Sequence, residues 1–265
     1  MADKRGKLTF LGTGGDGIVI GKQILASGGI IFQYGDTQLH IDPGPGSLVK
    51  AKQHKINLRE TTCILASQNS LFRTGDVNAA IAAMTHHGLD KRGVLICNET
   101  LYRGAEGFQT YLNKNEREMV ERALSVRPGQ KIGINDVDIS ILRSYQKDPN
   151  ALGFRIVADG KSIGIPCETI LDTGLFESYK GVDLLILNVR MPGNLQEEGA
   201  MNTRDATTLL KKLRPKTCLI TGFGIKMVDA DPREEARSIG RESGVHVEAV
   251  SDGQKFSVDE MLQSL

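Results

Sequence analysis

Leu65-Ala66-Ser67-Gln68-Asn69-Ser70-Leu71-Phe72-Arg73-Thr74-Gly75-Asp76 gathers amide, hydroxyl, guanidinium and carboxylate groups into one short stretch. It follows an apolar β-type run at 62–65 and precedes a helical pattern at 77–87. A polar segment leaving the end of a buried strand is where α/β folds concentrate their chemistry, because backbone and side chains converge there on a crevice. Amide and neutral hydroxyl oxygens are weak metal ligands, whereas a guanidinium carries permanent positive charge and recognises anions.

Other residues invite chemistry and are assigned elsewhere. Gly12, Gly14 and Gly17 satisfy G-x-G-x-x-G after a strand at 8–11. A dinucleotide site requires a helix next, with phosphates on its N-terminus. Ile18-Val19-Ile20-Gly21 is poor helix material, so the nucleotide reading is rejected. Cys63, Cys97, Cys167 and Cys218 are scattered without Cys-x-x-Cys spacing. They read as buried thiols rather than ligands or disulfides. Cys167-Glu168 lacks a sequence-evident histidine to activate the thiol. His86 and His87 are adjacent, about 100° apart on a helix, and cannot readily chelate one ion.

The elements that must position such groups alternate along the chain. Strands are expected at 29–34, 38–41, 94–97, 131–134, 137–142, 154–157, 162–165, 182–189, 218–221, 245–250 and 255–258. Helices are expected at 48–54, 77–87, 113–126, 203–213 and 233–242, and Asp76 is placed to cap the second. Gly35-Asp36, Asn135-Asp136 and Asp159-Gly160 supply hairpin turns. Ser47 begins a helix and can cap it.

The chain of 265 residues carries +1 net charge, 40% apolar content, no Trp and 5% aromatics. No global field attracts nucleic acid or membrane. Lys211, Lys212, Arg214 and Lys216 end a helical pattern and complement its dipole. No apolar run reaches the roughly 20 residues that span a bilayer. The charged N-terminus runs into a strand without a signal peptide, so the expectation is one soluble cytoplasmic domain over 1–265.

Taken in order, five segments resemble the landmarks of the metallo-β-lactamase superfamily. The central stretch resembles its strand followed by Ser-His-x-His-x-Asp-His-x-Gly-Asp. Ile41-Asp42-Pro43-Gly44-Pro45-Gly46 resembles its second motif, and residues 143–154 a histidine loop leading to Gly-Phe-x-Ile. Asp172-Thr173-Gly174 matches its Asp-Thr-Gly, and Thr221-Gly222-Phe223-Gly224 resembles Thr-His-Phe-Gly. The resemblance implies an α+β fold, a four-layer αββα sandwich, and a dinuclear metal centre for hydrolysis. Here the metal positions fall on Gln68, Ser70, Phe72, Arg73, Gln146, Asp172 and Gly222, so Asp172 alone keeps a ligand's identity. Asp42 is expected to hold the loop by accepting backbone N–H bonds.

A hydrolytic zinc site uses His and carboxylate donors and leaves a place for a water whose pKa falls to about 7. The mapped set lacks those donors. The expectation is a catalytically degenerate, non-hydrolytic protein with no cofactor, in which Arg73 pairs with Asp172 and Phe72 fills the vacated volume. Gln68, Ser70, Arg73, Gln146 and Asp172 would then bind a small anionic ligand. Alternatives are a hydrolase of phosphoester, ester or thioester bonds with displaced ligands, an oxygen-only site from Asp42, Asp76, Glu168 and Asp172, and a divalent ion held weakly at Asp172. A structural subunit and a homo-oligomer complete the readings.

Overall fold

The computed structural model describes residues 5–263. Residues 1–4, on which the signal-peptide expectation partly falls, lie outside the described residues. The first half of the chain runs β1 (Lys7–Phe10), α1 (Gly17–Gly21), β2 (Ile30–Tyr34), β3 (Thr37–Ile41), α2 (Ser47–Gln53), β4 (Cys63–Ala66), α3 (Leu71–Thr74) and α4 (Val77–Thr85). It continues through β5 (Val94–Cys97), α5 (Glu99–Arg103), α6 (Lys114–Met119) and β6 (Arg122–Ser125). The second half runs β7 (Lys131–Ile134), β8 (Val137–Arg143), β9 (Leu152–Ala158), β10 (Lys161–Ile165), α7 (Thr173–Ser178), β11 (Leu184–Met191) and β12 (Met201–Asn202). α8 (Thr203–Leu213), β13 (Thr217–Thr221), α9 (Ile225–Asp229), α10 (Pro232–Ser243), β14 (His246–Ala249), β15 (Lys255–Ser257) and α11 (Val258–Gln263) complete it.

Two sheets form, in the orders β15-β1-β2-β3-β4-β5-β6 and β14-β13-β11-β10-β9-β8-β7, with β12 beside β11. Alternation along the strands explains the layering. Phe32, Leu39, Ile41 and Leu65 of the first sheet meet Ile139, Phe154, Ile156 and Ile186 of the second in one core. The opposite faces bury Leu185, Leu187 and Ile220 under Leu209, Leu210 and Ile239 of α8 and α10, and Ile64 and Leu95 under Ile81 and Met84 of α4. Strands covered on both sides read as continuous apolar runs, as at 184–187. The result is the expected four-layer αββα sandwich.

β3 through β6 are mutually parallel. So are β10, β11, β13 and β14. The carboxyl ends of these strands carry the loops that meet in one crevice, where open α/β sheets place their sites.

Two expected elements differ. The helix over 113–126 stops at Met119, and β6 pairs Ala123 with Leu95 at the sheet edge. α6 buries no residue, so edge pairing wins over the helical propensity of its charged residues. The segment after the glycine run is helical, because Asp16 Oδ1 accepts the Val19 N–H at 2.7 Å and Val19 and Ile20 are buried. A cap and burial outweigh β-branched propensity over one short turn.

Candidate functional site

Asp42 follows β3 in the left-handed region (φ 51°) and accepts from Ser67 N at 2.7 Å and Ser67 Oγ at 2.8 Å. It therefore holds the end of β4 from below, and its burial raises its pKa. Thr74 Oγ1 donates to Gln68 O at 2.8 Å and closes the loop through α3. Asp148 is buried and accepts from Asn69 N, Asn98 Nδ2, Thr100 Oγ1 and Asn150 N at 2.6–3.0 Å. This one carboxylate ties the β4 and β5 loops of the first sheet to the loop between β8 and β9 of the second.

The expected cap of α4 is corrected. Asp76 makes no side-chain bond to α4. Its Oδ2 accepts from Gly46 N at 2.8 Å and Ser47 N at 3.0 Å, at the start of α2. Ser47 Oγ donates to Gly44 O at 2.5 Å.

The resulting cleft, about 370 Å³, is lined by Gln68, Ser70, Phe72, Arg73 and Gln146 of the expected set, together with Glu168, Arg190, Glu197 and Glu198. The pairing expected for Arg73 is also corrected: its partner is Glu168, whose Oε2 accepts from Arg73 Nε at 3.1 Å and from Gln68 Nε2 at 2.9 Å. Glu168 Oε1 pairs with Arg190 Nη2, and Arg190 Nη1 reaches Glu197 Oε1 at 3.0 Å. Gln146 Nε2 donates to Gln68 Oε1. Arg73 Nη1 and Nη2 make longer bonds to the Gly14 and Gly15 carbonyls, at 3.4 and 3.5 Å. Glu168, held between two guanidiniums, is thus the carboxylate at the centre of the cleft.

Burial lowers the pKa of both arginines, and Arg73 is a further cause for Arg190; guanidiniums nonetheless stay charged in proteins. The side chains of Arg73 and Glu168 are each 13% exposed and that of Arg190 is 14%.

Asp172 is not among the cleft-lining residues. It caps α7, accepting from Gly174 N at 2.8 Å. Its Asp-Thr-Gly match drew the sequence reading away from Glu168-Thr169, an equivalent acid–Thr pair that lies closer to the end of β10. Chain distance from the strand was the signal that identifies Glu168. Arg190, near the end of the apolar β11, carried a similar one.

Phe72 lines the cleft together with Arg73. Phe72 is 45% exposed, and its ring covers Gly17, where a Cβ would lie 3.0 Å from the ring. Gly222 adopts φ 71°, and a Cβ there would sit 2.3 Å from Asn188 Oδ1. A small cavity of about 40 Å³ beneath Arg73 is bounded by Asp42, Cys167, Asn188 and Thr221. Burial pushes the Cys167 thiol well up, opposite to what a nucleophile needs.

The fold implies a dinuclear metal centre, and the residues present do not fit one. The carboxylates considered for an oxygen-only site are separated: Asp42 and Asp76 receive backbone N–H groups, Asp172 caps a helix, and Glu168 is enclosed by cations. Among the described residues no group of three or more His, Cys, Asp or Glu side chains is arranged to hold a metal ion.

No family model matches the chain. It is 26% identical over 245 residues to the uncharacterized protein MJ1374 of Methanocaldococcus jannaschii, covering 92% of this chain and 91% of that one. The metallo-β-lactamase fold protein YhfI of Bacillus subtilis superposes with a TM-score of 0.79 at 17% identity, covering 95% of this chain and 99% of that one. A diphosphatase from the PhnP family gives 0.69 at 18%, covering 95% and 96%. The short form of human tRNase Z gives 0.69 at 14%, covering 95% and 99%. The chain has the metallo-β-lactamase fold. No described helix is long and apolar enough to cross a membrane.

Proposed function

We propose that this chain is a non-hydrolytic variant of the metallo-β-lactamase fold that binds a small anionic ligand in its cleft without a metal cofactor. The supporting observation is the enclosure of Glu168 between Arg73 and Arg190. A carboxylate whose two oxygens already receive cations offers little to a divalent ion, and a third positive centre there would meet two fixed guanidiniums at short range. Gln68, Ser70, Arg73 and Gln146 are the contacts assigned to the ligand. Asp172, a helix cap, is released from that set. Four buried free thiols accord with a reducing cytoplasm.

The second reading is a metal-dependent hydrolase, favoured by the likeness to the structures of a diphosphatase and a tRNase Z. Metal analysis of protein purified without chelator separates the two, alongside turnover of phosphodiester, ester and thioester probes. The proposal expects substoichiometric metal and no turnover above a Glu168→Gln control. Stoichiometric zinc, manganese or iron that Glu168→Gln removes, together with metal-dependent turnover, would reverse it.

A further inference from the structure

The segment at 192–200, between β11 and β12, is anchored by its own backbone and by Glu235 of α10. Leu195 N donates to Pro192 O and Ala200 N to Glu197 O, each at 3.2 Å, and Gly193 N donates to Glu235 Oε2 at 2.9 Å. From this segment two consecutive carboxylates reach the cleft wall. Glu197 Oε1 accepts from Arg190 Nη1 at 3.0 Å, and Glu198 Oε2 lies 2.8 Å from Lys147 Nζ. Both glutamates line the same cleft as Arg73 and Gln146.

We infer that Glu197 and Glu198 are internal stand-ins for the ligand, and that the cleft takes a small dicarboxylate that displaces them from Arg190 and Lys147. This deepens, and rests on, the metal-independent ligand reading above. Two observations carry it. The covering groups are carboxylates, whose geometry a guanidinium fork matches. Arg190 Nε is buried with no hydrogen-bond partner, so the resident anions leave this guanidinium one donor short.

The pairs are suited to exchange. Lys147 and Glu198 are largely exposed and Glu197 is partly so, and ion pairs of that kind are individually weak. Glu168, by contrast, is enclosed and stays in place as the partner that orients both arginines. An incoming dicarboxylate therefore replaces two acceptors with two acceptors. Charge in the cleft is conserved if the glutamates swing into water, and the segment at 196–199 is freed as the ligand seats.

The experiment is calorimetric titration of glutarate into the full chain and into Glu197→Gln/Glu198→Gln, with inorganic phosphate as a parallel probe. Removing the internal competitors is expected to tighten glutarate binding about tenfold, more than it tightens phosphate. Saturating glutarate is expected to speed amide hydrogen exchange at 196–199 in the wild type, toward the rate of the double variant. Equal or weaker glutarate binding by the double variant overturns the inference, as does a gain confined to phosphate or an absence of binding to both proteins. If both proteins bind glutarate equally and Arg73→Met abolishes it, the displacement falls while the ligand reading stands. Failure of that reading shows instead as metal-dependent turnover.

Discussion

Glu168→Ala tests the electrostatics of the cleft directly. Arg73, Arg190, Glu168 and Glu197 form a chain of alternating charge that balances. Without Glu168, two guanidiniums share one partly exposed carboxylate. The side chains of Arg73 and Arg190 are 13% and 14% exposed, so water screens them poorly. Removing one member of a buried ion pair costs about 3–5 kcal/mol, because the remaining charge is left uncompensated. The open side of the cleft places the expected loss near the lower bound, about 3 kcal/mol, since the arginines can turn toward water. For a chain of this size that is about 6–12 °C in melting temperature. Urea denaturation should show a lower midpoint with an unchanged slope, the signature of lost stability without a changed unfolded state. Asp172→Ala is the internal comparison, because it removes a helix cap and is expected to cost only about 1 kcal/mol. A Glu168→Ala loss no larger than that of Asp172→Ala would refute the central role assigned to Glu168.

Gly222→His should destabilise by about 2–4 kcal/mol, because its Cβ would overlap Asn188 and its φ of 71° disfavours side chains; a neutral result in denaturation would contradict this geometry. Adding Asn188→Ala should recover part of the loss. His40 is fully buried, its Nε2 donating to Gly28 O at 2.8 Å, and burial lowers its pKa from 6.5 to about 4. The folded state therefore binds fewer protons than the unfolded state between those values, and stability falls as pH drops through that window, by up to about 3 kcal/mol. Asp42 and Asp76, with raised values, act in the opposite sense, so the check is the difference between wild type and His40→Gln at pH 7 and pH 4. That difference should shrink as pH falls. Thiol titration of the native protein should find Cys63, Cys97, Cys167 and Cys218 reacting no faster than unfolding exposes them, since all are buried; a fast-reacting thiol would place one at the surface.

Most of the architecture was legible because its signals are local. Continuous apolar runs at 62–65 and 182–189 announced strands covered on both faces, and Asp159-Gly160 supplied the two left-handed residues its hairpin turn requires. The αββα layering came from the resemblance. The loop-holding role of Asp42 was also readable from its motif. The helix over 113–126 was misread because β6 exists only through pairing with β5, a partner distant in the chain. The centre of the site was missed for a related reason. Asp172 had the matching tripeptide, but which carboxylate enters the cleft is decided by distance from the end of β10, and Glu168 lies nearer. Arg190 carried only its position near the end of β11, and its pairing with Glu168 needed β11 to lie beside β10. Asp76 precedes α4 as expected, but its carboxylate accepts from the N–H groups at the start of α2 and not from α4, because α2 and α4 begin side by side in space.

The cations paired with Glu168 are two amino-acid side chains, Arg73 on α3 and Arg190 on β11. Their concentration beside that carboxylate is set by covalent attachment and does not vary with the surrounding medium. They have no dissociation step, and neither a competing ion nor a chelator can remove them by mass action. The positive charge that these two side chains bring to the cleft is therefore in place when the polypeptide finishes folding.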